Sequence, residues 1–178
     1  MKHIGLTFAL LFSVLASQAQ FNFMHAVGAG SYYSSQESTI ALMYAPRLNF
    51  IEFGDETSLS VGSNLGFMYI FNSNDDRKNF AMDIPGLVQL NFGTAATPFS
   101  YAPFGGFIGG GFGYNSIGSA SVFNNAATSS WGPVYTAGIR FRIGYTALEA
   151  RVSYLQAINR SDAPNIIGIG GLYVFGEY

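Results

Sequence analysis

The chain has 178 residues and a formal net charge of −2, a length that supports one domain of ordinary size. Charged residues make up 10% of it and aromatics 16%, against roughly 25% charge in a typical soluble domain, so there is little from which to build a water-soluble surface. Eight scattered Lys and Arg offer no basic patch for a nucleic acid, and the absence of cysteine excludes disulfides, thiolate catalysis and Cys-bound zinc.

Met1-Lys2-His3 is a short basic start, Ile4 to Ala16 is a mostly apolar run, and Ser17-Gln18-Ala19 supplies small residues around a cleavage point. That is the layout of a secretory signal, so residues 1–19 are expected to be removed and residues 20–178 to form the exported domain. A membrane anchor needs roughly 20 apolar residues, more than this segment offers.

Beyond the signal, the apolar residues recur with period two, the signature of strands rather than helices. Phe21 to Tyr33 is the first candidate. In Thr39 to Phe53, Ile40, Leu42, Tyr44, Leu48 and Phe50 share one face while Arg47 and Asn49 share the other. From Thr57 to Phe71 the odd positions Leu59, Val61, Leu65, Phe67, Tyr69 and Phe71 are apolar, and the even ones are mostly small or polar. Phe80 to Phe92 sets Phe80, Met82, Ile84, Val88, Leu90 and Phe92 against Asp83, Gln89 and Asn91. Tyr101 to Asn115, Pro133 to Gly144, Thr146 to Leu155 and Asn165 to Gly176 bring the total to eight. Most are about 10 residues or longer, enough for a tilted strand to cross a bilayer. Pro46 and Pro85 cannot donate to a ladder, so each is expected to mark a bulge or an unpaired end.

The connections alternate in character. Ser34 to Glu37, Ser73 to Asn79, Ser116 to Gly132 and Gln156 to Pro164 are polar or small-residue loops, and between them fall Gly54-Asp55-Glu56, Gly93 to Ser100 and a tight turn at Gly144-Tyr145. Short turns at one end and longer loops at the other are the habit of membrane barrels. The Gly93 to Ser100 segment, GTAATPFS, is longer than that habit requires.

Charge decides which face is inside. Arg47, Asp83, Arg140, Arg142, Glu149 and Arg151 all lie on the less apolar face of their strands. A face in water should carry many more charges than six across eight strands, and an arginine facing lipid costs roughly 2 to 4 kcal/mol at the midplane. The expectation is therefore an all-β fold, an eight-stranded antiparallel up-and-down transmembrane barrel with the charges pointing inward. A soluble β-barrel or sandwich with the apolar face inside is the other architecture of this pattern.

With these features the chain resembles the small eight-stranded outer-membrane barrels of the OmpX and OmpA transmembrane-domain kind. The runs MYAPRLNF, SVGSNLGF, DIPGLVQLNFG and FGGFIGGGFGYN are similar to an uncharacterised family of such barrels from Gram-negative bacteria. The resemblance implies a location in the outer membrane and insertion by the outer-membrane assembly machinery, which reads an aromatic at the end of the last strand. Phe175 and Tyr178 both stand near that end, on opposite faces.

Catalytic chemistry has little to draw on. Outer-membrane barrel enzymes use Ser, His and acidic or amide partners, and after signal removal His25 is the one histidine, placed near a strand end where packing is the usual role. Asp75-Asp76 lacks the spacing of a calcium loop and is followed by Arg77-Lys78, so a solvated loop tip is expected there. No phosphate-loop spacing occurs in FGGFIGGGFGYNSIG. Its Gly105, Gly109, Gly111 and Gly113 are expected on the inner wall, making room for Phe107 or the arginines. No enzyme, cofactor or metal is expected.

An eight-stranded barrel is just wide enough to be filled by its own side chains. Arg47, Asp83, Arg140, Arg142, Glu149 and Arg151 are expected to form an interior charge network, a polar plug with two surplus positive charges. If Gly144-Tyr145 is a two-residue turn, Arg140 faces Glu149; a turn one residue later pairs Arg142 with Glu149 instead. Asp83 is expected to compensate the arginines that Glu149 does not. Phe123 and Trp131, in the long third loop, are candidate contacts for a partner or a lipid headgroup, with interfacial anchoring the other role for Trp131. The expected function is that of a monomeric structural or surface-interaction protein in outer-membrane lipid. The alternatives are a narrow small-solute or anion-preferring channel and a soluble secreted ligand-binding barrel.

Overall fold

The computed structural model describes residues 21–35, 38–70, 79–116, 129–159 and 163–175. The proposed signal, Asp75-Asp76, Phe123 and Tyr178 lie outside them. Nine strands are present: β1 (Asn22–Tyr33), β2 (Ser38–Glu52), β3 (Thr57–Ser63), β4 (Leu65–Ile70), β5 (Asn79–Gly93), β6 (Phe104–Asn115), β7 (Ser130–Ile143), β8 (Thr146–Leu155) and β9 (Ile166–Phe175). β3 and β4 are two halves of one stave separated by Asn64, so the sheet has eight staves. Each pairs antiparallel with its neighbours in sequence, and β1 pairs with β9 to close the barrel. Closure leaves no edge strand and gives the backbone amides of the wall partners within the wall, the condition for a sheet to cross lipid.

The period-two pattern is realised stave by stave. Along β5, Ala81, Asp83, Pro85, Leu87, Gln89 and Asn91 are buried while Phe80, Ile84, Val88, Leu90 and Phe92 are exposed. Outward Ile40 and Leu42 are 73% and 70% exposed, so nothing within the chain covers this face. Among the described strand residues no Asp, Glu, Lys or Arg stands in the middle of the outer face. Aromatics cluster on this face toward both rims, as Phe104 with Phe141 (5.2 Å between centroids) at the turn end and Phe112 with Trp131 (5.6 Å) at the loop end.

The two prolines mark unpaired positions, but on one side only. Pro46 and Pro85 both lie inside unbroken strands, opposite His25 and Gly113 respectively. It is the stave between them that breaks. The registers on either side, Arg47↔Gly62 and Tyr44↔Leu65, Ser63↔Gly86 and Gly66↔Asp83, carry both prolines alongside Ser63 and Asn64. Each proline lacks the N–H that this stave's carbonyls need, so the loss is felt by the neighbour rather than by the proline's own strand. Among the described residues the register shift lies elsewhere, between Asn49 and Ile51. Phe50 is the extra residue of that bulge, and beyond it Glu52 accepts hydrogen bonds from Asn22 (2.8 Å) and Asn49 (3.2 Å).

Two boundaries also move. Tyr101 to Pro103 belong to the preceding turn rather than to β6, and β7 begins at Ser130, so Trp131 is a strand residue on the outer face and not a loop residue.

Candidate functional site

The β7–β8 hairpin is the foundation of the site. Gly144 is the first residue of a two-residue turn with φ +64°, while Tyr145 keeps a negative φ, the combination a type II′ turn requires. The turn sets the register at Arg140↔Glu149, with Gly138↔Arg151 two steps above and Arg142↔Ala147 two steps below.

Around this pair a buried cluster assembles. Arg140 Nε donates to Glu149 Oε2 at 2.7 Å, and Arg151 Nε donates to Glu149 Oε1 at 2.7 Å, so one carboxylate bridges two guanidiniums. Arg140 is 0% and Glu149 3% exposed, which removes the solvent screening that weakens surface pairs. The Phe107 ring lies against both arginines, 4.7 Å from Arg140 Cζ and 5.0 Å from Arg151 Cζ, close enough for its π-system to attract both cations. Phe107 fits because Gly138 stands opposite it: a Cβ at Gly138 would lie 2.4 Å from Phe107 Cε1.

Arg47 enters from β2, the stave opposite β7 across the barrel. Its Nη1 and Arg140 Nη1 donate to the same oxygen, Asn91 Oδ1, at 3.2 and 3.1 Å. Both arginines also donate to Ala95 O, Arg140 at 3.2 Å.

The long turn after β5 supplies that carbonyl. Thr94, Ala95, Ala96, Thr97 and Ser100 are buried because the segment folds into the mouth of the barrel. Ala95 adopts φ +55°, a left-handed conformation that an L-residue with a side chain rarely takes. Ala96 O accepts from Asn49 (2.9 Å) and Ser58 (2.5 Å), and Thr97 Oγ1 donates to Asp55 O at 2.5 Å, tying the segment to the neighbouring turn. Gly105 lets it lie against the wall, since a Cβ there would stand 2.3 Å from Thr94 N. The extra length of GTAATPFS thus brings main-chain acceptors to the arginines.

The six residues singled out from the sequence are not one network. Arg47, Arg140, Glu149 and Arg151 converge. Arg142 does not join them: it is partly exposed at the turn-end rim, donates to Ser100 O and to Ala102 O (3.5 Å), and sits 5.5 Å from the Tyr101 ring centroid. Asp83 belongs to the other half of the barrel, where it accepts from Tyr32 Oη (3.1 Å) and Asn115 Nδ2 (2.8 Å). It lies eight positions before Asn91 on β5, about 26 Å of strand, so it does not join Arg47 and Arg140 where they meet at Asn91. Sequence reasoning did not identify Asn91 or Ala95 as their partners. Asn91 carried a signal, its inward phase at the level of Arg140; a main-chain carbonyl carries none.

His25 projects from the outer face into aromatic rings, with centroids of Phe175, Phe23 and Tyr44 at 5.4, 5.6 and 6.0 Å. Its nearest polar neighbour is Tyr44 Oη, 3.5 Å from Nδ1. Among the described residues no group of His, Asp and Glu is placed to hold a metal ion. Beside the arginine cluster is a cavity of about 10 Å³ bordered by Arg47, Ser63, Gln89, Glu149 and Arg151. A wider depression of about 300 Å³ lies at the loop end between Tyr33 and Tyr69.

No family model matches the chain, and no curated sequence matches it. Solved structures do. Ail, the attachment invasion locus protein of Yersinia pestis, is 12% identical with a TM-score of 0.55, the match covering 89% of this chain and 99% of that one. Neisserial surface protein A is 15% identical with a TM-score of 0.52, over 86% and 96% of the two chains. The outer membrane enzyme PagL is 13% identical with a TM-score of 0.52, over 84% and 98%. The chain therefore has the fold of the small eight-stranded outer-membrane barrels. That fold carries a surface protein, an attachment protein and an enzyme, so it does not select among roles.

Proposed function

We propose that the protein is an integral barrel of the Gram-negative outer membrane, exported through its first 19 residues, with an interior closed to solutes. Its role is structural, or one of surface interaction through the loops opposite the termini. The observation that carries this reading is the turn end of the interior: three guanidiniums, Glu149, Phe107 and the inturned Thr94–Thr97 segment occupy it, and the cavity beside them measures about 10 Å³. That is roughly the volume swept by one water molecule.

The apolar outer face and its two aromatic rims support lipid as the surrounding medium. Trp131, packed on Phe112, fits an interfacial anchor. Phe175, exposed on the outer face at the end of β9, fits the aromatic of an assembly signal. Among the described residues His25 has aromatic neighbours and no carboxylate to orient it, which supports a non-catalytic reading.

Protein refolded into planar bilayers tests the closed interior. Absence of conductance steps at any salt is the expected result. Small anion-preferring steps would instead establish the narrow channel, a reading the positive surplus in the cluster favours. The membrane assignment has its own test: a folded, detergent-solubilised barrel should migrate differently from the boiled protein on a gel, and a soluble barrel should not need detergent.

A further inference from the structure

The depression at the loop end opens on the outer face of the wall, not into the lumen. Tyr33 of β1, Ile40 of β2 and Tyr69 of β4 border it, with Ser31 and Ser38 between them, all in the outward phase of their strands. The register explains the hollow. Ser31 stands beside Ile40 and Ile40 beside Tyr69, while Tyr33 stands beside Ser38 one outward row nearer the loops. The two tyrosines are therefore two strands apart, about 10 Å across the sheet, and the small serines leave the space between them open. Its volume of about 300 Å³ falls at the lower end of the range for small-molecule pockets. The row continues from Tyr69 to Phe80, whose ring lies 6.4 Å from that of Phe67, so the hollow sits within the loop-end aromatic rim, at the level of lipid headgroups.

The chemistry of the lining narrows the occupant. Hydroxyls on a wall that faces lipid are costly unless something pairs with them, and those of Ser31, Ser38 and Tyr33 make no hydrogen bond among the described residues. The lining holds no Lys, Arg or His, so nothing in it selects a phosphate. Two aromatic rings and several hydroxyls suit a neutral sugar, whose C–H faces lie on the rings and whose hydroxyls pair with the serines. Toward the bilayer centre the hollow runs on into the lipid-facing surface at Ile40 and Leu42, the most exposed aliphatic side chains among the described strand residues, a track for an acyl chain. We propose that this depression binds the uncharged sugar headgroup of a membrane glycolipid, with Tyr33 and Tyr69 flanking the ring and Ser31 and Ser38 hydrogen-bonded to it. The inference rests on the membrane reading, which puts this face in lipid.

The full barrel, refolded into phosphatidylcholine vesicles that contain equal amounts of monogalactosyl diacylglycerol and phosphatidylglycerol, tests it. Native mass spectrometry of the extracted protein identifies the lipid that stays bound. One galactolipid per barrel is expected, preferred over phosphatidylglycerol on the order of tenfold, the worth of one or two added hydrogen bonds. Ser31→Leu fills the hollow with a side chain that a lipid-facing position accepts, and should abolish the preference while heat-modifiable gel migration is unchanged. Tyr33→Ala, which removes one flanking ring, should lower it. Equal retention of the lipids, a preference for phosphatidylglycerol, or an undiminished preference in Ser31→Leu would overturn the proposal. Displacement of the galactolipid by free methyl β-galactoside would also overturn it, by assigning the site to a soluble saccharide. A barrel that folds in detergent and shifts on the gel but retains no galactolipid sinks this inference alone; a protein that folds without detergent sinks the membrane reading with it. Should Ser31→Leu not fold, the selectivity of the wild-type protein and the Tyr33→Ala variant still decide.

Discussion

The two halves of the barrel interior solve the same packing problem with different chemistry. Toward the turns the lumen is ionic: Arg47, Arg140 and Arg151 surround Glu149, with Phe107 against Arg140 and Arg151, and Asn91 and the Ala95 carbonyl accepting from Arg47 and Arg140. Toward the loops it is filled by Tyr32, Met43, Met68, Leu155 and Ile166, with Asp83 the one buried carboxylate there among the described residues. Met43 lies against Gly30 and Gly170, and the Tyr32 ring against Gly66 and Gly168. The loop half adapts through flexible thioethers that fill irregular space. The turn half depends on partners in fixed positions, where losing one leaves a charge uncompensated. The same sheet thus carries a tolerant half and an unforgiving one.

Glu149→Leu tests that contrast most severely. It leaves Arg140 and Arg151 buried without their carboxylate and should cost about 3–5 kcal/mol, read as a lower urea midpoint or Tm of the refolded barrel. An unchanged melting point would show that the cluster contributes nothing that Glu149 controls. Gly138→Ala comes next. Its Cβ meets Phe107 Cε1 at 2.4 Å, so Phe107 must leave the two arginines, at about 1–3 kcal/mol. In the tolerant half, Tyr32→Phe removes one donor from Asp83 while Asn115 remains, and the expected cost is about 1–2 kcal/mol. A loss equal to that of Glu149→Leu would erase the distinction between the halves. Smallest, and opposite in sign, is Ala95→Gly. Relief of the left-handed conformation should raise stability by about 0.5–1 kcal/mol, and a fall would mean that the Ala95 methyl group contributes packing at the barrel mouth.

The wall was legible because alternation is a local signal. The inward phase of Asp83, Gln89 and Asn91, or of Arg140 and Glu149, follows from counting in twos once a single charge has been turned away from lipid. The β7–β8 register was narrowed to two choices by Gly144, and the turn selects one. What could not be read depends on relations between staves. The break at Asn64 arises from prolines 18 and 21 positions away, through missing donors that Asn64's own sequence context does not reveal. The partners of Arg47 and Arg140 at Ala95 are invisible for a different reason. Every residue but proline offers the same backbone groups, so GTAATPFS reads as a slack turn until its path into the lumen is known. Asp83 was assigned to the arginines by charge alone, without the axial distance that separates them.

The meeting of Arg47 and Arg140 at Asn91 and Ala95 has a mechanical consequence. The two arginines come from diametrically opposed staves and grip one hub, as spokes do. A hollow cylinder of eight staves in a laterally compressed bilayer can flatten into an ellipse while every wall hydrogen bond survives. Here flattening would have to stretch or crush the Arg47–hub–Arg140 span, so the cross-section is braced near one rim. The loop half carries a lighter tie of the same kind, Tyr32 of β1 and Asn115 of β6 meeting at Asp83, so the barrel is braced across its lumen at two heights and the loops beyond them are left to move on a rigid frame.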